Sequence, residues 1–567
     1  MMNSIKQTYK YSTLLIISFV LFSCGSGGSD SSDNGSNPIP PTNGEPTSGN
    51  NKTLAPEILP TFQNGTFLYT ENNQKFESEN LTTSNSIFTA VFRNSASTNE
   101  TEDLNIADEN FNDSTTSTET TSAKQLKTYI EKNHRCGSYK KDNLKAPYLY
   151  SKRNGKSKNK HKKKNRIDDA IGTRDTFFHD EGPDNGKVLD FELLYKSSKC
   201  LIYSEINTST NLPYVSQSRG SEIGVVFSTN NPYHKDGEPI FDTVTKTFGN
   251  PWGIDSSGNK INNGGRDEEA PVLIILFNSG SSTNLFGYFY WVDEEEKGYV
   301  NSDGYISNGA EIIFLNQHYA DDDINLFSTL SHEFQHLCDY NQKFVLNGDF
   351  TTTITYQASY DEDTPTMFNE GKSMLCEDLC GFSLDVTENG GGKGNKFMFN
   401  MINTYRNTLS INSKSFLNWN GGSDYGKGYL FWRYIYDSYG SDILKKAATD
   451  KSLPPESLEV ATSKNFDILL QEFLIALIQT ESKNSSSVYK ITSLDITKDY
   501  KDTNGNSLGK LLPLSFIDGI PNSKISNKNP YEIRLYKLLP KNGKVNFTID
   551  NIKEESSFSI FTTVIDE

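Results

Sequence analysis

The chain has 567 residues, 34% of them hydrophobic and 12% aromatic, with 34 Phe and 29 Tyr. That is enough apolar surface for several packed cores, and it excludes a chain disordered throughout. The formal net charge of −17 excludes nucleic acid as the main partner, because neutralising phosphates needs a basic face.

Residues 1–23 read as an export signal. Lys6 and Lys10 precede an apolar stretch from Leu14 to Phe22 broken only by Ser18, too short to span a bilayer as a mature helix. The segment Leu21-Phe22-Ser23-Cys24 resembles the lipobox of bacterial lipoproteins. That resemblance implies cleavage before Cys24, a lipid on its sulfur and attachment to a membrane of the bacterial cell envelope. Gly25 follows where an inner-membrane retention signal would place Asp, so the expected location is the outer membrane or cell surface. Residues 24–54, rich in Gly, Ser, Asn and Pro, read as a flexible tether. No later apolar run approaches spanning length.

The predicted body is α+β in three parts. Short alternating segments such as Ser86-Ile87-Phe88-Thr89-Ala90-Val91-Phe92 predict a β-rich accessory domain over residues 55–217, serving as propeptide, inhibitor or substrate platform. It is interrupted by the basic run from Lys152 to Arg166, which reads as a solvated loop, with a polyanion contact or a processing site as alternatives. Residues 218–482 mix strands and helices: Val272 to Phe277 is a continuous apolar run suited to a buried strand, and helical periodicity dominates from Ile324 to Thr480. Residues 483–567 return to short strands and predict a small C-terminal β-domain. Within it, Asp502 to Asn506 spaces oxygen ligands loosely like a calcium loop, although an Asn-Gly turn explains the same residues.

Chemistry concentrates in two helical segments. Asp323 to Asp339 reads DINLFSTLSHEFQHLCD, with Phe327, Leu330, Phe334 and Leu337 recurring as a core stripe. His332 and His336 lie four apart on another face, one turn above the other. Two imidazoles at that spacing can grip one tetrahedral metal ion, while Glu333 is placed to serve water beside the metal rather than the metal itself. The chain holds only seven His, which makes an accidental pair around a Glu improbable. A catalytic zinc keeps three protein ligands, so a third must come from elsewhere. Glu370 is the candidate: it stands with Ser373 and Glu377 on a stripe distinct from the apolar Phe368, Gly371, Leu375 and Leu379.

Together, His332-Glu333-Phe334-Gln335-His336 and Phe368-Asn369-Glu370-Gly371 resemble the gluzincin metallopeptidases, and among them the hyicolysin-type family, over about Phe241 to Thr480. The resemblance implies a catalytic domain with a mixed sheet and a helical subdomain. It also implies zinc held by His332, His336 and Glu370, with Glu333 as general base for hydrolysing a protein or peptide substrate. One departure is that Met374 stands four residues past Glu370, where the family carries an acidic residue. The partner of the histidines therefore stays open, with Glu377 and Asp378 as alternatives for ligand or supporting carboxylate. The block Tyr425-Gly426-Lys427-Gly428 is similar to a segment whose tyrosine steadies a developing oxyanion, which implies that role for Tyr425; a packing tyrosine is the plainer reading.

Setting Cys24 aside, five cysteines remain, an odd number for an oxidising compartment, and no C-x-x-C pair occurs. Cys338, Cys376 and Cys380 lie on the two ligand segments, where they read as a disulfide or, more simply, as small core residues. The competing functional readings are a surface adhesin or binding lipoprotein on an inactive peptidase fold, and a zinc hydrolase for another amide or ester. A monomer is expected.

Overall fold

The computed structural model describes residues 166–179, 186–251, 269, 271–280, 285–295, 297–301, 304–345, 363–384, 394–409, 415–419, 422–450, 452–481, 490–501, 505–518 and 531–538. It also describes the backbone of the strands Phe67–Tyr69, Gln74–Ser78, Asn85–Arg93, Glu102–Asp108, Ser523–Asn527, Val545–Asp550 and Phe558–Asp566. The export signal, Cys24, the tether, the basic run up to Asn165 and residues 502–504 lie outside the described residues.

Seven strands build the central sheet: β1 Arg174–His179, β2 Lys187–Lys196, β3 Cys200–Asn207, β4 Leu212–Pro213, β5 Val272–Phe277, β6 Gly287–Phe289 and β7 Ile312–Asn316. Their order is β6-β7-β5-β3-β2-β1, with β4 paired to β3 off that path. β1, β2 and β3 form an antiparallel meander. β3, β5 and β7 run parallel, and β6 returns antiparallel along β7 with Tyr288 opposite Phe314. The reason β5 is apolar without alternation is that it lies between two parallel neighbours and every one of its residues is buried.

Helices α1 Gln217–Ser228 and α2 Ile240–Phe248 cross from β3 to β5, and α3 Asp323–Tyr340 follows β7. The side chain of Asp322 caps α3 by accepting the Asn325 N–H at 3.2 Å. Phe334, in the predicted core stripe, lies with its ring 4.9 Å from Phe227 of α1 and 5.4 Å from Phe241 of α2. That seats α3 against both helices while β6 and β7 cover another side. Beyond it pack α4 Asp363–Leu379, α5 Lys396–Thr408 and α6 Ser423–Tyr439, followed by α7 Ser441–Thr449, α8 Glu456–Thr462 and α9 Phe466–Gln479. Strands and helices are mixed along the chain, and one sheet holds both antiparallel and parallel pairings, an architecture compatible with the expected α+β.

Two glycines set how closely the helices meet. A Cβ on Gly371 of α4 would stand 2.5 Å from the Gly428 Cα of α6, and one on Gly426 would stand 2.2 Å from the Met401 oxygen of α5. Both glycines flank functional candidates, so their small size serves packing directly. Gly371→Ala is expected to force α4 and α6 apart and to cost about 1–3 kcal/mol, read as a lower denaturant midpoint. An unchanged midpoint would mean that the crossing is looser than this geometry.

The expected division into domains needs correction. β1 to β4, assigned from sequence to the accessory domain 55–217, belong to the same sheet as β5 and β7. The remaining accessory strands join the expected C-terminal domain 483–567. Asn85–Arg93 is flanked by Phe558–Asp566 and Ile533–Leu538 in a five-stranded sheet, and Glu102–Asp108 by Ser523–Asn527 and Val545–Asp550 in a four-stranded one. The physical reason is that alternation marks a half-buried strand but carries no information about which distant segment hydrogen-bonds to it.

Candidate metal centre

The two histidines stack on α3 with ring centroids 4.8 Å apart, as the four-residue spacing demands. α4 presents Glu370 to both. One ligand atom from each of His332, His336 and Glu370 lies within 4.8 Å of the others, and all three residues are buried. Glu370 Oε2 is 3.2 Å from His332 Nε2, and Oε1 is 3.5 Å from His336 Nε2.

The outer ring nitrogens explain which way the imidazoles face. His332 Nδ1 is 2.8 Å from Glu377 Oε1, and a carboxylate only accepts, so Nδ1 carries the proton and donates it. The Ser373 hydroxyl donates to Gln335 Oε1, which leaves its oxygen, 3.1 Å away, to accept from His336 Nδ1. Both Nε2 lone pairs are thereby turned toward Glu370, and acceptors facing acceptors in a dry site repel unless a cation lies between them. Glu370 Oε1 is itself fully buried without a hydrogen bond. Burial alone would raise the Glu370 carboxyl, and only positive charge beside it, from protonated histidines or from a cation among the three side chains, holds it below the usual carboxylate range. Two neutral imidazoles and one anionic carboxylate are a donor set that suits zinc, so the residues fit a metal ion.

Glu333 lies on the same helix but is engaged differently: its Oε2 accepts the Phe289 N–H of edge strand β6 at 2.9 Å. It lines one cavity with His332, Gly287, Glu377, Phe397 and Tyr425. Tyr425, in the first turn of α6, has its ring 6.3 Å from that of His332 and is wedged by Trp419 at 4.8 Å and Phe397 at 5.7 Å. The structure thus brings together His332, Glu333, His336, Glu370 and Tyr425.

The two open alternatives separate. Glu377 is the partner of His332 Nδ1, whereas Asp378 accepts from Tyr429 Oη at 2.8 Å and Arg433 at 2.9 Å, away from the ligands. Cys200, Cys338, Cys376 and Cys380 are buried free thiols, and burial pushes the Cys200 thiol up to about 12. Sequence reasoning missed three supports: the hydroxyl of Ser373, the amide of Asn395, and the buried Lys372–Asp339 ion pair that joins α4 to α3. Ser373 was legible as a member of the Glu370 stripe, three residues on. Asn395 carried no signal beyond an Asn ahead of a helical run.

No family model matches the chain. Over 297 residues it is 24% identical to the neutral metalloprotease ShpI of Staphylococcus hyicus, an alignment covering 49% of this chain and 56% of that protein. The chain therefore spans about half the length of the curated relative it matches. At that distance the chain is similar to a metalloprotease, and its His332-His336-Glu370 group is one that could hold a metal ion.

Proposed function

We propose that the chain is a zinc-dependent peptidase of the gluzincin kind, nearest in type to the hyicolysin family, acting on proteins or peptides outside the cytoplasm. The observation that carries the reading is the buried His332-His336-Glu370 group with Glu333 beside it at one cavity. His332 and His336 hold the ion through Nε2 and Glu370 through its carboxylate. When bound, zinc supplies Lewis acidity, polarising a carbonyl and lowering the pKa of water to about 7. Glu333 takes the proton from the attacking water on its carboxylate and returns it to the leaving nitrogen. The Phe289 N–H keeps that carboxylate aimed while this happens. Tyr425 Oη donates a hydrogen bond to the peptide oxygen as it gains charge. The same proposal has the chain exported and held at a bacterial membrane by a lipid on Cys24, working as a monomer.

The test is digestion of a peptide library by the purified full chain, followed by mass spectrometry, with metal content measured in parallel. One zinc per chain, cleavage abolished by a chelator and its return on adding zinc are the expected results. A zinc-loaded chain that cleaves nothing would leave the binding-lipoprotein reading in its place.

A further inference from the structure

The carboxylate of Glu377 has two ends, and only one serves His332. Its other oxygen, Oε2, accepts from Asn395 Nδ2 at 2.8 Å, and all three residues are buried. Asn395 comes after α4, as the residue immediately before α5, and its Oδ1 accepts the Met398 N–H at 2.9 Å. Its backbone is held as well, with the N–H donating to Ser383 O at 2.8 Å. The two ends of one amide are therefore committed to different tasks. This also settles which end is which, because the carboxylate needs a donor and the backbone N–H an acceptor.

We propose that Asn395 is a positioning residue of the metal centre: its amide locks Glu377 in the orientation that keeps His332 Nδ1 protonated and Nε2 turned inward. The proposal rests on the zinc reading above. Without the amide, Glu377 Oε2 is a buried acceptor with no donor, and the carboxylate turns to find one, releasing the imidazole it steadies. Partners of this kind contribute about 10–100-fold to metal affinity.

The helix-capping role can be kept while the positioning role is removed, since Ser and Asp cap nearly as well as Asn. Ser is too short to reach Glu377, and an ionised Asp cannot donate. Asn395→Ser in the full chain is expected to bind zinc about 10–100-fold more weakly in competition with a chromogenic chelator, while its metal-free form unfolds at the wild-type temperature. Asn395→Asp, a second variant should the first fold poorly, is expected to show the same loss. In a Glu377→Ala background, Asn395→Ser is expected to cost nothing further, because its intermediary is gone. Wild-type zinc affinity in either Asn395 variant would overturn the proposal, as would an undiminished effect in the Glu377→Ala background. A wild-type chain that took up no zinc would instead bring down the metal reading, and this proposal with it.

Discussion

Glu333→Gln is expected to bind zinc as tightly as the wild-type chain and to hydrolyse peptides about 10²–10⁴-fold more slowly. Glutamine keeps the shape of the side chain, and its amide oxygen can still accept the Phe289 N–H that Glu333 Oε2 accepts at 2.9 Å. What it lacks is a site for the proton of the attacking water, because an amide is not a base near neutral pH. The three candidate ligands lie on other side chains, so the charge available to grip a metal ion changes little. Metal analysis together with kcat on a fluorogenic peptide separates the two effects. A variant that kept full activity would remove Glu333 from the reaction, and one that lost its zinc would make Glu333 part of the binding set.

Lys372→Met is expected to destabilise the chain by about 3–5 kcal/mol. The Lys372 ammonium and the Asp339 carboxylate are both buried, with side-chain exposures of 2% and 6%, and removing the cation leaves the carboxylate charged in a dry helix interface. Lys343 cannot move in to replace it. Its ammonium already donates to the carbonyls of Ala447, Asp450 and Ser452 at 2.5, 2.8 and 2.8 Å. The pair joins α3 to α4 next to Glu370, so zinc affinity should fall along with stability. Adding Asp339→Leu should recover most of the loss, because an apolar pair of similar size avoids burying any charge. Chemical denaturation of the two variants decides the matter. A single variant as stable as the wild type would show that the carboxylate finds water or a proton at little cost.

Much of the candidate metal centre could be read from residue order because helix geometry is local. Four residues make about one turn, so His332 and His336 had to share a face wherever α3 was placed. The stripe of Phe327, Leu330, Phe334 and Leu337 is buried as expected, but so is every other residue from Leu330 to Tyr340, which the apolar pattern alone did not foretell. Glu370 stood out as a carboxylate off the apolar stripe of its own helix, and its stripe mates Ser373 and Glu377 are the residues that hold His336 and His332. Their roles stayed hidden because α3 and α4 meet across 38 residues of chain, and no periodicity says which turn of one helix faces which turn of the other. Asp378 shows the difficulty: it is adjacent to Glu377 in sequence, yet it points to Arg433 and Tyr429.

By itself, the order of residues determined the α+β class, the helix carrying His332, Glu333 and His336, and the apolar run of β5. Those properties depend on spacing within a few residues, where backbone geometry leaves little freedom. Only the tertiary structure decided that β1 to β3 complete the sheet behind α3, that Asn85–Arg93 pairs with Phe558–Asp566 at the other end of the chain, and that Asn395 reaches the carboxylate behind His332. Such pairings are chosen by burial and hydrogen-bond satisfaction between segments far apart in the chain, and a strand or an Asn looks the same in sequence whichever partner it finds.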